Sequence, residues 1–165
     1  MKKLFLIRHA KSSWDDPSLT DFLRPLNARG LRDAPRMAGI LARSHPGIDL
    51  LLHSPAVRTT ETASYFTEAL GNNNMQVLAI PEIYDAPLSD LKLIVHSLDD
   101  RFSQVVMIGH NPGMSMLLHY FTDQIYDMPT CAIAEILFDQ ESWKDCIGSV
   151  GHLVNFDYPK KYFTP

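Results

Sequence analysis

Short, uninterrupted apolar runs alternate along the chain with longer stretches in which apolar residues recur every third or fourth position. Residues 4–7, 50–52 and 105–108 contain no polar position, as expected of strands covered on both faces by helices. Runs over 133–138 and 153–156 predict later strands toward the sheet edge. Leu31, Ala34, Ala38, Leu41 and Ala42 mark a helix across 28–44, which Pro35 is expected to kink or delay. Ala56, Thr59, Ala63, Phe66 and Leu70 form a second helical stripe, and 88–98 and 112–121 supply a third and a fourth. Residues 12–27, with Pro17 and Pro25, predict an irregular loop across one end of the sheet. Strands alternating with amphipathic helices imply an α/β domain.

Composition narrows the function classes. A chain of 165 residues suits about one domain, and 45 % hydrophobic with 21 % charged residues is globular usage. A net charge of −4 leaves no general basic face for nucleic acid. Cys131 and Cys146 lack metal-type or redox-type spacing, so reduced thiols are expected, with a disulfide as the alternative. The apolar run after Met1-Lys2-Lys3 ends at Arg8 after four residues, where a secretory segment needs about 7–15 and a membrane helix about 20. A cytoplasmic chain without a membrane anchor is the expectation.

Three chain reversals place reactive residues directly after a buried strand, where open α/β sheets bind ligands. The first is Leu6-Ile7-Arg8-His9-Ala10-Lys11. Arg8 offers a planar fork for anionic oxygens, and His9 a nucleophile or proton carrier near neutral pH. Taken alone, the pair equally fits a strand end with a surface Arg and a hydrogen-bonded core His. The second is His53-Ser54-Pro55-Ala56-Val57-Arg58, in which Ser54 is expected to cap a helix, Pro55 to open it, and Arg58 to lie off its apolar stripe. A solvated helical Arg is the competing reading. The third is Gly109-His110-Asn111-Pro112-Gly113, where Asn111 is expected to cap and Pro112 to open a helix whose free N–H groups favour an anion. It also fits a plain tight turn, and it lacks the spacing of a nucleotide-binding loop.

Together these loci supply Arg8, Arg58, His9 and His110 without a cysteine or metal motif. That inventory suits a dianionic phosphoryl group, with arginines on its oxygens and a neutral imidazole attacking phosphorus. Neighbouring guanidinium charges favour the neutral form of His9.

In this order the motifs resemble the histidine phosphatase superfamily, which includes the phosphoglycerate mutases. The closer likeness is to its small SixA-type phosphohistidine phosphatases, through Leu6-Ile7-Arg8-His9-Ala10-Lys11-Ser12-Ser13-Trp14, Arg24-Pro25-Leu26, Ser54-Pro55-x-x-Arg58-Thr59-x-x-Thr62-Ala63 and Gly109-His110-Asn111-Pro112-Gly113. The likeness spans roughly residues 3–139, with Ala10 where the superfamily usually has Gly. It implies a three-layer α/β/α sandwich with a mostly parallel central sheet, phosphoglycerate mutase-like, forming one domain over residues 1–165. It further implies a metal-independent phosphatase without a cofactor, in which His9 is transiently phosphorylated while Arg8, Arg58 and His110 hold the transferring group.

Glu82, in Pro81-Glu82-Ile83-Tyr84-Asp85-Ala86, is the expected proton donor, with Asp85 second and a solvated loop carboxylate as the alternative. Arg24, Ser12 and Asn111 are expected to bind substrate, and Lys11 and Asn27 to shape the cleft. His45, His53, His96, His119 and His152 have no ligand-like spacing, and Phe156, Tyr158, Tyr162 and Phe163 are expected to cover the sheet. Only residues 71–90 could form a lid, so the cleft is expected to admit a protein-borne phosphohistidine. A small phosphorylated metabolite is the alternative substrate, a mutase fits less well for want of a lid, and a non-catalytic phosphate-recognition module is the competing class. The chain is expected to be a monomer.

Overall fold

A computed structural model describes residues 1–71 and 74–163, so Asn72 and Asn73 of the lid stretch and the last two positions of the expected domain lie outside it. Six strands, β1 (Lys2–Arg8), β2 (Leu50–His53), β3 (Gln76–Ala79), β4 (Gln104–Gly109), β5 (Ile133–Phe138) and β6 (Gly151–Asp157), form one sheet in the order β3-β2-β4-β1-β5-β6. β3, β2, β4 and β1 run parallel, and β5 and β6 run antiparallel beside β1. The helices are α1 (Ala28–Ser44), α2 (Val57–Leu70), α3 (Leu88–His96), α4 (Gly113–Thr122) and the short α5 (Pro159–Tyr162).

Both faces of the central strands are buried, which is why their sequences carry no polar alternation. Phe5, Ile7, Leu51, Val106 and Ile108 pack with Met37 and Leu41 of α1 and Phe66 of α2. Their neighbours Leu4, Leu6, Leu52 and Met107 pack on the opposite side with Leu91 of α3 and Leu117 and Phe121 of α4. Three layers result, as expected.

Pro35 does not delay α1. α1 begins at Ala28 with Pro35 in its interior, because the Asn27 carboxamide oxygen accepts from Gly30 N–H at 2.9 Å and sets the start upstream of the proline. β3 is an exposed edge strand held by backbone pairing to β2, so its short apolar run gave no burial pattern to read. Phe156 and Tyr158 pack against one core layer and Phe163 against the other, while Tyr162 stays half-exposed. Cys131 and Cys146 are buried free thiols. Among the described residues no helix is long and apolar enough to cross a membrane.

Candidate active site

Strand register builds the site. Arg8 of β1 pairs with Gly109 of β4, so His9 and His110 leave the sheet side by side, their ring centroids 5.3 Å apart. On the other side of β4, His53 pairs with Ile108, and Ser54 N–H donates to the Ile108 carbonyl at 3.1 Å. The end of β1 is tied to α2 through Thr62, whose hydroxyl accepts from Ala10 N–H at 3.1 Å and donates to the Arg58 carbonyl at 2.7 Å. A cleft of about 520 Å³ opens over these ends. Arg8, His9, Arg58 and His110 all line it, together with Lys11, Ser12, Arg24 and Asn111.

His9 is 7 % exposed, and its Nδ1 lies 2.7 Å from the Ala10 carbonyl oxygen. A carbonyl only accepts, so Nδ1 carries the proton and Nε2 keeps its lone pair. Burial pushes the imidazole pKa down to about 3, offset in part by the Ala10 bond and reinforced by His110, Arg58 and Arg8. His9 is therefore neutral at physiological pH. His110 is pushed down to about 4, first by burial and then by Arg58, and its Nε2 lies 2.8 Å from Ser54 Oγ. Ser54 Oγ also accepts from Ala56 N–H at 3.3 Å and keeps both a proton and a second lone pair, so it can serve His110 Nε2 in either tautomer.

Both arginines are anchored by their terminal nitrogens. Arg8 Nη1 donates to the Met128 carbonyl at 2.9 Å; Arg58 Nη1 and Nη2 donate to the Asp21 carbonyl at 2.7 Å and to Asp21 Oδ2 at 3.0 Å. Among the described residues, Arg8 Nε, Arg58 Nε and His110 Nδ1 are buried without a hydrogen-bond partner. The two Nε–H groups are donors, and buried donors are normally satisfied, so the cleft keeps hydrogen-bonding capacity that an anionic oxygen can use.

The remaining residues divide into those the cleft gathers and those it does not. Ser12 Oγ accepts from Arg24 Nη1 at 2.8 Å, and Arg24 also stacks 3.5 Å from the centroid of Trp14. Asn111 Nδ2 donates to Met128 O at 3.1 Å, the carbonyl that holds Arg8. Neither Ser54 nor Asn111 is an N-cap: α2 and α4 are capped by Ala56 and Pro112, one residue further along than the sequence suggests or more. At the start of α4, His110 O takes Met114 N–H and Asn111 Oδ1 takes Ser115 N–H, so neither of these groups is offered to an anion. Glu82 is exposed and does not line the cleft, since the 3-10 turn Pro81–Ile83 buries Ile83 and carries Asp85 to the wall instead. Asn27 caps α1 and also stays out of the lining.

Trp14, Asp21, Tyr84 and Thr130 also line the cleft, and none of them is among the expected site residues. Asp21 and Tyr84 meet only through folding: Tyr84 OH donates to Asp21 Oδ2 at 2.7 Å. Trp14 ends the motif that begins at Leu6, and its closeness in sequence to Arg8-His9 is the signal that points to it. Hydrogen bonding from Tyr84, joined by Arg58 and Arg24 and opposed by partial burial, holds the Asp21 carboxyl at about 2.

Residues 4–90 match the histidine phosphatase superfamily (branch 1). An uncharacterized chloroplastic protein of Arabidopsis thaliana is 32 % identical over 158 residues, covering 91 % of this chain and 72 % of that one. An uncharacterized protein of Mycobacterium tuberculosis is 27 % identical over 167 residues, covering 93 % of this chain and all of its own. Among solved structures, a candidate phosphohistidine phosphatase SixA from Agrobacterium tumefaciens superposes with a TM-score of 0.81 at 26 % identity, over 96 % of this chain and 98 % of that one. A mycobacterial glucosyl-3-phosphoglycerate phosphatase shares the fold at a TM-score of 0.73 and 14 % identity, over 94 % and 98 % of the two chains.

Proposed function

This chain belongs to the histidine phosphatase superfamily and is a phosphatase that works through a histidine nucleophile; we propose that His9 is that nucleophile and that the substrate is phosphohistidine carried on a protein. His9 Nε2 attacks phosphorus as the bond to the leaving nitrogen breaks, and the leaving imidazole, protonated by solvent on its other ring nitrogen beforehand, departs neutral. Water then attacks the same phosphorus, the bond to Nε2 breaks, and inorganic phosphate departs. Arg8 Nε, Arg58 Nε and His110 Nδ1 hold the phosphoryl oxygens through both steps. The observation that carries this reading is the fixed tautomer of a neutral, buried His9 beside the unpartnered Arg8 Nε, Arg58 Nε and His110 Nδ1.

Protein phosphohistidine is supported by the shape of the approach. Of the described residues in 71–90, the stretch holds β3, the turn Pro81–Ile83 and the start of α3, with no inserted helix. Phosphoramidate nitrogen can be protonated before cleavage, so this substrate needs little general-acid help. A small phosphomonoester is the second reading, and Asp85 on the cleft wall favours it by offering a carboxyl group near the leaving oxygen. No metal is assigned a role in either reading.

Rapid quenching in alkali with labelled substrate and a chelator present tests the mechanism. Acid-labile label mapped to His9 is the expected result; label on His110, or a burst abolished by the chelator, overturns it. Comparing kcat/KM for a phosphohistidine protein and a small phosphomonoester decides the substrate.

A further inference from the structure

Asp21 is a carboxylate lodged where a phosphatase gathers its cations. Its Oδ1 accepts from Arg24 Nε at 3.3 Å and lies 3.2 Å from Arg24 Nη2, while Oδ2 accepts from Arg58 Nη2 and from Tyr84 OH. The backbone carbonyl of the same residue takes Arg58 Nη1. Arg58 therefore meets the cleft with Nε alone unpartnered, and Arg24, with Ser12 as its other side-chain partner, is largely spent on protein groups. The side chain of Asp21 is still 49 % exposed, so its charge acts on whatever enters. Asp85 adds a second carboxylate to the wall, and Lys11 adds an ammonium group to the same lining.

We propose that Asp21 is a specificity-determining residue that fills the outer anion position between Arg24 and Arg58, and so rejects phosphoryl compounds bearing a second anionic group beside the transferable phosphate. This rests on the phosphoryl group binding at His9 as proposed above. A phosphoryl on a neutral carrier, such as an imidazole ring, needs only the inner donors Arg8, Arg58 Nε and His110. A phosphorylated carboxylic acid would direct its carboxylate to the outer position, where Asp21 already holds both guanidinium groups and repels a like charge.

The test uses a pair of ligands that differ in one group. 3-Phosphoglycerate and glycerol 3-phosphate are compared as competitive inhibitors of p-nitrophenyl phosphate hydrolysis by the full chain. The parent should bind glycerol 3-phosphate more tightly. Asp21→Asn, which keeps the backbone carbonyl to Arg58, should shift the ratio of inhibition constants about tenfold toward 3-phosphoglycerate, as removing one nearby unit charge does in a partly solvated site. Asp21→Ser should shift it the same way, and Tyr84→Phe, which retains the carboxylate, should leave it within about twofold. A ratio unmoved in both Asp21 variants, with the two ligands weakened alike, makes Asp21 a mere anchor for Arg58 and overturns the proposal. A parent that ignores protein phosphohistidine while the ratio still moves overturns the substrate assignment above and leaves Asp21's role standing.

Discussion

Arg8, His9 and His110 leave the ends of β1 and β4, whereas Trp14, Asp21 and Arg24 come from the irregular loop before α1, and the two halves of the cleft are held by different means. The strand half is fixed by the sheet ladder itself: His9 N–H donates to the Gly109 carbonyl at 3.0 Å, and Cys131 N–H to the carbonyls of Arg8 and His9. The loop half is fixed by side chains gripping one another, with Asp21 bonded to Arg58, Arg24 and Tyr84 and with Trp14 laid over Arg24 at 71 % exposure. A ladder holds reacting groups within tenths of an ångström, as phosphoryl transfer requires. A side-chain mesh at the surface can be altered without unfolding the sheet, as the selective role proposed for Asp21 requires.

The widest gap between the halves should appear in turnover. His9→Ala should lower kcat by about 10⁴-fold or more and abolish trapped label, since the other imidazole in the cleft, His110, has its Nε2 engaged by Ser54 Oγ. Arg58→Ala should cost about 10²–10³-fold in kcat, as loss of one donor to a transferring group does. Arg24→Ala should cost less than about tenfold in kcat, with its effect on KM, because its nitrogens are committed to Asp21, Ser12 and the Ser13 carbonyl. Equal losses in Arg24 and Arg58 variants would break the division between chemistry and selection.

Acid catalysis sharpens it at the next level. Asp85→Asn should lower kcat for a phosphomonoester by about 10²-fold and leave phosphohistidine turnover within about threefold. Glu82→Gln should leave both within about twofold, because Glu82 stands outside the cleft. The reverse pattern would return the role to Glu82. Asp85 has φ 50°, a left-handed conformation that Asp tolerates better than most residues, and this turn is what carries its side chain past Tyr84 to the wall.

The same division governs what the sequence could reveal. Apolar runs with no polar position betray central strands, and the residues directly following them inherit their placement, so Arg8, His9 and His110 were legible as a group. Arg58 was legible because it follows a Ser-Pro bend and falls off the apolar stripe of α2, although that bend caps through Ala56 and leaves Ser54 to hold His110. Asp21 and Tyr84 were not legible, because 63 positions separate them and nothing periodic joins them. Glu82 and Asp85 differ by one turn's geometry, which residue type alone does not encode. β3 escaped for the opposite reason: an edge strand exposed along its whole length carries no burial signature.

Acid should destabilise the strand half specifically. His9 and His110 are buried with pKa values pushed down to about 3 and about 4, so below pH 6.5 the unfolded chain takes up protons that the folded chain refuses. Stability is complete above about pH 6.5 and falls as pH drops toward those values, by roughly 2 kcal/mol for each histidine at pH 5. Melting temperatures measured from pH 7 to pH 5 should fall, and His110→Gln should flatten the slope; an unchanged slope would mean that His110 is protonated in the folded cleft.

The smallest effect belongs to Asn27, which joins the two halves without lining either. Its N–H donates to the Lys11 carbonyl at 3.0 Å, and its carboxamide oxygen takes Gly30 N–H, so α1 starts directly against the chain leaving β1. Glycine at position 30 permits this approach, because a Cβ there would run into the Lys11 carbonyl. Asn27→Ala removes one cap and should cost about 1 kcal/mol of stability. With the Lys11 contact made through backbone, kcat should stay unchanged. A drop in kcat for Asn27→Ala would mean that the start of α1 sets the position of Lys11 and Ser12, and that the loop half reaches further into the chemistry than its side-chain mesh suggests.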